Sequence, residues 1–242
     1  MALRIACDLD GTLADMEAAL QREAERLFGP GVSLRGVKIP AVEESAGIED
    51  PAGDPARVQS APATVTNGER AGLTSKQMRR LWRHALRVED FWHTLSETEP
   101  GSVARLAALA SKHRWDVLFL TQRPGSAGRT AQLQSQRWLE AHGFGLPSVY
   151  VMTGSRGRVA DALALDVVID DRLENCLDVV TDSRARAILV WRDTRAALPA
   201  NAARLGIELV FSMTEALTLL EKTTRTDKPA GIVDRLRAAI GL

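Results

Sequence analysis

Two aspartates, Asp8 and Asp10, flank a leucine at the end of the apolar run LRIACDL and are followed by Gly11 and Thr12. Carboxylates one residue apart can face a single crevice where a strand opens into a loop, and Gly11 permits a tight turn there. Such a pair can hold a hard cation, or it can divide labour between nucleophile and acid. An EF-hand is excluded, because with Asp8 as the first ligand Leu13 stands where that loop needs glycine and Ala19 where it needs glutamate. A second acidic pair, Asp170 and Asp171, closes the apolar run Val167-Val168-Ile169. Adjacent acids repel unless a cation or hydrogen-bond donors compensate them. With Asp8 and Asp10 they supply enough oxygens for magnesium, which is usually held by one or two carboxylates plus waters and a phosphate. Third, Leu118-Phe119-Leu120 ends in Thr121, Gln122, Arg123 and Pro124, where a hydroxyl and a guanidinium can ligate phosphate oxygens. Each signal has a plainer reading, as a helix cap, a solvated turn or a strand stop. Against that stands their shared placement after apolar strands, the end of an open α/β sheet where ligands bind.

The elements that would carry these residues can be read from periodicity. From Trp115 onward short apolar runs alternate with helix-period segments, which predicts strand–helix–strand units on a mainly parallel sheet. The strands are LRIACDL, DVLFL (116–120), SVYVM (148–152), DVVID (166–170), AILVW (187–191) and IELVF (207–211). Helices are predicted between them: one capped by Ser102, one starting at Ser126 and stopping at Gly143, one with Val159 and Leu163 on a side, and one with Leu173, Leu177 and Val180. Between Asp15 and Pro100 the alternation stops. Amphipathic helices are expected from Asp15 to Phe28 and from a capping box at Thr74 and Gln77, flanking a Pro- and Gly-rich loop near 35–72. The expectation is a doubly wound α/β core (1–14 and 101–221), a small helical cap inserted after the first strand (15–100), and a C-terminal linker with a short amphipathic helix (222–242) whose Ile232, Val233, Leu236 and Ile240 share a face.

The 242 residues carry 31 Lys+Arg against 31 Asp+Glu, so the formal net charge is zero and a chain-wide basic footprint for nucleic acid or an anionic membrane is ruled out. At 45% hydrophobic and 26% charged residues the composition is that of a folded globular protein. Cys7 and Cys176 fall in no metal or disulfide pattern, no run approaches the ~18 apolar residues of a membrane span, and the start has no signal-like apolar region, so the cytoplasm is the expected compartment. Trp82, Phe91 and Trp92 read as packing residues that could alternatively stack on a base, and Arg79, Arg80, Arg83 and Arg87 as a solvated helix face able to attract an anion.

Together the motifs resemble the haloacid dehalogenase superfamily of aspartate-nucleophile phosphotransferases, with DLDGT, Thr121 and Asp170-Asp171 as its motifs. The strings DLDGTLAD, FWHTL before EPG, LTQRP and VVIDDRLENC are similar to bacterial relatives of the 5'(3')-deoxyribonucleotidases. The resemblance implies a Rossmann-like core and a magnesium-dependent phosphatase acting on a small phosphate monoester, with a nucleoside 5'-monophosphate as leading substrate. It implies that Asp8 attacks phosphorus, Asp10 protonates the leaving oxygen, Thr121 binds the phosphoryl group, and Asp8, Asp10 (through its carbonyl), Asp170 and the neighbouring Asp171 form the magnesium site. Gly11, Thr12, Gln122 and Arg123 become candidate substrate ligands. One departure stands out. The family places a lysine between its second and last motifs, but here lysine occurs only at Lys38, Lys76, Lys112, Lys222 and Lys228. Arg156, in Gly154-Ser155-Arg156-Gly157-Arg158, takes that position as a candidate catalytic cation, with Arg158 two residues on as a further phosphate ligand. A non-catalytic phospholigand-binding protein and a nucleic-acid end phosphatase are the alternatives. Nucleic acid and membrane are not expected partners, and a homodimer stays open.

Overall fold

The computed structural model describes residues 2–34, 71–192 and 202–226. The loop-rich stretch from 35 to 70 and the amphipathic segment at 232–240 lie outside them. In chain order the first elements are β1 (Arg4–Asp8), α1 (Met16–Phe28), β2 (Val32–Ser33), β3 (Ala71–Gly72), α2 (Ser75–Ala85), α3 (Ser102–His113) and β4 (Asp116–Thr121). They are followed by α4 (Ala131–Ala141), β5 (Ser148–Val151), α5 (Arg156–Ala162), β6 (Val167–Asp170), α6 (Leu173–Asp182), β7 (Arg186–Val190), β8 (Ile207–Val210) and α7 (Met213–Thr226). The chain divides into two compact units, Met1–Ala14 with Glu97–Thr121 and Leu139–Leu242, and Asp15–Ser96 with Gln122–Trp138.

The first unit holds a six-stranded sheet in the order β5-β4-β1-β6-β7-β8, and every pairing is parallel. The chain builds outward from β1 in one direction, then crosses back and builds outward in the other. This is a doubly wound sheet whose winding reverses at its first strand, where a crevice opens at the carboxyl ends. Its strands are near-continuous apolar runs because both faces are covered. Ala6, Leu118, Leu120, Val168, Ala187 and Leu189 join one cluster with Ala160, Cys176 and Val179. Strand residues of the other parity, Ile5, Cys7, Phe119, Val167, Ile169 and Ile188, are equally buried.

Three expected boundaries moved. The helix expected from Ser126 starts at Ala131, because the Ala127 N–H is spent on Leu86 O and the Arg129 N–H on Asp90 Oδ1. Ser102 is the first helical residue rather than the cap of α3, which Glu97 caps by accepting from Gly101 N (2.6 Å) and Val103 N (2.9 Å). The expected linker after 221 is instead the last turn of α7, with Glu221 paired to Lys112 at 2.8 Å.

In the second unit α1 and α2 pack through Ala19, Leu20 and Ala24 and through Met78, Leu81, Trp82 and Ala85. The expected capping box forms, with Thr74 and Gln77 bonding reciprocally, and Asp15, expected as the start of α1, is its N-cap. Residues 122–138 belong here rather than to the core as the sequence suggested. Trp92 N donates to Gln134 Oε1 (3.0 Å), Trp92 Nε1 to Pro124 O (3.0 Å) and Trp138 Nε1 to Leu95 O (2.8 Å), which ties the segment to residues 91–95.

Helices α5 and α6 approach so closely at Gly157 that a Cβ there would overlap the backbone carbonyl of Asp178. Gly157→Ala is therefore expected to destabilise the protein by about 1–3 kcal/mol through overpacking. Urea unfolding would show a lower midpoint at unchanged slope, and an unchanged midpoint would mean that the helices part without cost.

Candidate active site

Three neighbouring strands deliver three of the sequence-predicted residues to one place. Register pairs Cys7 with Ile169 and Asp8 with Leu120, so Asp8 leaves the sheet level with Asp170, and Thr121 ends β4 one residue beyond. Asp8 and Asp170 are 6% and 0% exposed, and Thr121 is buried beside them. Beyond Asp8 the chain folds into a turn that only glycine tolerates at position 11. Gly11 has φ near 90°, and a Cβ there would overlap the Asp171 carboxylate. Thr12 Oγ1 donates to Asp171 Oδ1 (3.3 Å), and Thr121 Oγ1 donates to Asp10 Oδ2 (3.2 Å). The hydroxyl of the second motif thus touches the second acid of the first.

Arg156 is the cation of this cluster. It opens α5, whose N-cap Ser155 accepts from Arg158 N (3.3 Å) and donates to Asp182 Oδ2 (3.2 Å), and Gly157 seats the helix on α6. From there the guanidinium, 2% exposed, reaches back to the sheet. Its Nη2 donates to Asp8 Oδ1, and its Nε lies 3.6 Å from Asp170 Oδ2, inside ion-pair range but beyond hydrogen-bond reach. Nε and Nη1 are buried and make no hydrogen bond. Arg158, two residues on, is exposed and stands apart from the buried cluster. Of the two arginines that the sequence offers, Arg156 is the one bonded to Asp8.

The electrostatics are unbalanced. Burial first, and then the charge of Asp170, pushes the Asp8 carboxyl well above the usual carboxylate range, with Arg156 opposing. Burial also raises Asp170, against Arg156 and the donors Arg172 N (2.9 Å) and Asn175 Nδ2 (3.0 Å to each oxygen). Asp171 is pushed up to about 7 by burial and by Asp170. The charges of Arg156 and Arg172 oppose these shifts without reversing them, so the donor chemistry fits a further hard cation. Among the described residues no three His, Cys, Asp or Glu side chains group closely enough to form a metal cage. Magnesium does not require one, since it keeps waters and takes one or two carboxylates.

Other candidates find different places. Arg123, expected to bind phosphate, is buried in the second unit, its guanidinium 5.1 Å over the Trp92 ring and its Nη1 2.8 Å from Ser135 Oγ. Gln122 is exposed in that same unit. Thr12 points at Asp171, where it holds a carboxylate. Trp82, Phe91 and Trp92 pack on one another and are buried, while Arg80, Arg83 and Arg87 are exposed. Asn175 escaped the sequence reading, though its position in the first turn of α6 just after Asp170, inside the quoted VVIDDRLENC, was a usable signal.

No protein-family model matches the chain, and no curated protein matches its sequence. Solved structures do match its fold. A haloacid dehalogenase (HAD) family hydrolase from Deinococcus radiodurans R1, determined with bound phosphate and sodium, is 14% identical, with 92% of this chain and 97% of that one aligned at a TM-score of 0.50. A haloacid dehalogenase-like hydrolase from Streptococcus pneumoniae is 13% identical over 90% of this chain and 98% of that one, also at 0.50. The fold is that of the HAD-like hydrolases, as the motifs suggested.

Because Asp171 repels its neighbours, Asp171→Asn, which keeps an acceptor for Thr12, is expected to raise Tm in chelator by about 2–4 °C, roughly 1 kcal/mol. Calorimetry showing an unchanged or lower Tm would mean that the repulsion costs the fold nothing.

Proposed function

We propose that the protein is a magnesium-dependent phosphatase of small phosphate monoesters that works through an aspartyl-phosphate on Asp8. The observation that carries this reading is the buried Arg156 guanidinium, bonded to Asp8 through one nitrogen and with two others, Nε and Nη1, making no hydrogen bond. Buried donors left without acceptors are costly, more so when charged. An anion brought against Asp8 would satisfy them, and phosphate oxygens match a guanidinium's planar fork.

Chemically, an Asp8 oxygen would form a bond to phosphorus as the ester oxygen departs, taking a proton from Asp10. Asp10 would then remove a proton from water as that water's oxygen attacks phosphorus, releasing inorganic phosphate and restoring the Asp8 carboxylate. Arg156 would hold the transferring oxygens while keeping Asp8 aimed. Asn175 and Arg172 N orient Asp170, and Thr121 orients Asp10. Magnesium, held by Asp8, the Asp10 carbonyl and Asp170 with Asp171 alongside, would neutralise charge that otherwise repels the nucleophile from phosphate. A nucleoside 5'-monophosphate is the leading substrate class, supported by the DLDGTLAD, LTQRP and VVIDDRLENC strings.

Hydrolysis of a phosphate ester whose leaving oxygen needs a proton, such as phenyl phosphate, tests the reading. The wild type should turn over with magnesium and not with chelator, Asp8→Asn should fall to background, and Asp10→Asn should lose about 10²–10⁴-fold. Arg156→Lys, which keeps charge but not the fork, should raise KM for phosphate esters about tenfold or more. A wild type that binds inorganic phosphate without turnover would favour the non-catalytic alternative instead.

A further inference from the structure

We infer that Arg192 is a positioning residue for the turn that carries Asp10, with Glu99 as its anchor; this rests on the phosphatase reading above. Arg192 lies just past the end of β7 and belongs to none of the motifs. Its guanidinium nevertheless spans the backbone immediately after Asp10: Nε donates to Gly11 O (2.6 Å) and Nη2 to Thr12 O (2.9 Å). Nη2 also reaches Thr98 Oγ1 (3.2 Å) and Glu99 Oε1 (3.1 Å). Thr98 supports the same carbonyl, donating from Oγ1 to Thr12 O at 2.8 Å, and its N–H donates to Leu13 O at 2.8 Å.

Glu99 is itself fixed. Its carboxylate accepts from Met213 N (2.6 Å) and Thr214 N (3.1 Å), the first amides of α7, where a helix end favours negative charge. The order of constraint therefore runs from the start of α7 to Glu99, from Glu99 to Arg192, and from Arg192 to the carbonyls of Gly11 and Thr12. The turn needs such a clamp because Gly11, at φ near 90°, is the residue least able to hold a conformation by itself. Two successive carbonyls and a carboxylate also demand a planar fork with several donors, which lysine lacks.

The Arg192 side chain is 30% exposed, so its ion pair contributes little to stability, and its loss should be felt in geometry. A small misplacement of a catalytic group can cost about 10²-fold in rate. The measurement that separates positioning from general damage is leaving-group dependence of kcat/KM. An alkyl phosphate needs Asp10 to protonate its departing oxygen, whereas a 2,4-dinitrophenyl phosphate does not.

Arg192→Gln and Glu99→Gln should each reduce kcat/KM for the alkyl ester, the first by about 10²-fold, and leave the dinitrophenyl ester within about threefold of wild type, the pattern that Asp10→Asn sets. Tm should move by no more than about 3 °C. Equal losses on both esters, or no loss on either, in whichever variant folds, would overturn the positioning role while leaving the phosphatase reading intact. A wild type inactive on both esters would overturn the phosphatase reading and this inference with it.

Discussion

A parallel sheet leaves its strand ends little freedom, because shifting one end means breaking its ladder of hydrogen bonds. Where β4, β1 and β6 end side by side, Asp8 and Asp170 are held level, with Thr121 one residue beyond, whether or not their charges agree. Burial there makes ionised carboxylates expensive, and Asp171 adds another a residue later. Arg156 is the compensation. The features around it, the Ser155 cap, the glycine that lets α5 press on α6 and the Asn175 bonds to Asp170, fix the distance between that cation and those acids.

Arginine in that place changes what the site can do. A compact ammonium would form a point contact with Asp8. The guanidinium touches Asp8 with one nitrogen, sits within ion-pair range of Asp170 with another, and retains donors that neither acid uses. Spreading one charge over a fork lets the same side chain restrain the acids and still offer hydrogen bonds to an incoming anion. With lysine absent between Lys112 and Lys222, the cation beside Asp8 is an arginine.

The strands and the placement of Asp8, Thr121 and Asp170 were legible in the sequence because apolar runs ending in polar residues record burial on both sheet faces. Helix starts were legible where a side chain caps locally, as at Asp15 and Thr74. They were not where the cap comes from elsewhere: Glu97 caps α3, and contacts to Leu86 and Asp90 delay α4. The contacts of Arg123 were hidden for a similar reason. Its position after a strand suggested the crevice, but Trp92 and Ser135, distant in sequence, determine where its charge goes. Arg192 left no local trace because its partners are backbone carbonyls, which every residue has.

The sheet's central strand is also its first. β1 occupies residues 4–8, yet its two neighbours in the ladder are residues 116–121 and 167–170. A growing chain leaves the ribosome amino end first, so one edge of this apolar strand stays unpaired until residues 116–121 have been made and the other until residues 167–170 have been made. Closing contacts over such separations is slow, and an unpaired apolar edge is open to wrong partners. The strand that ends in Asp8 is therefore also one that depends on protection while the protein is being made.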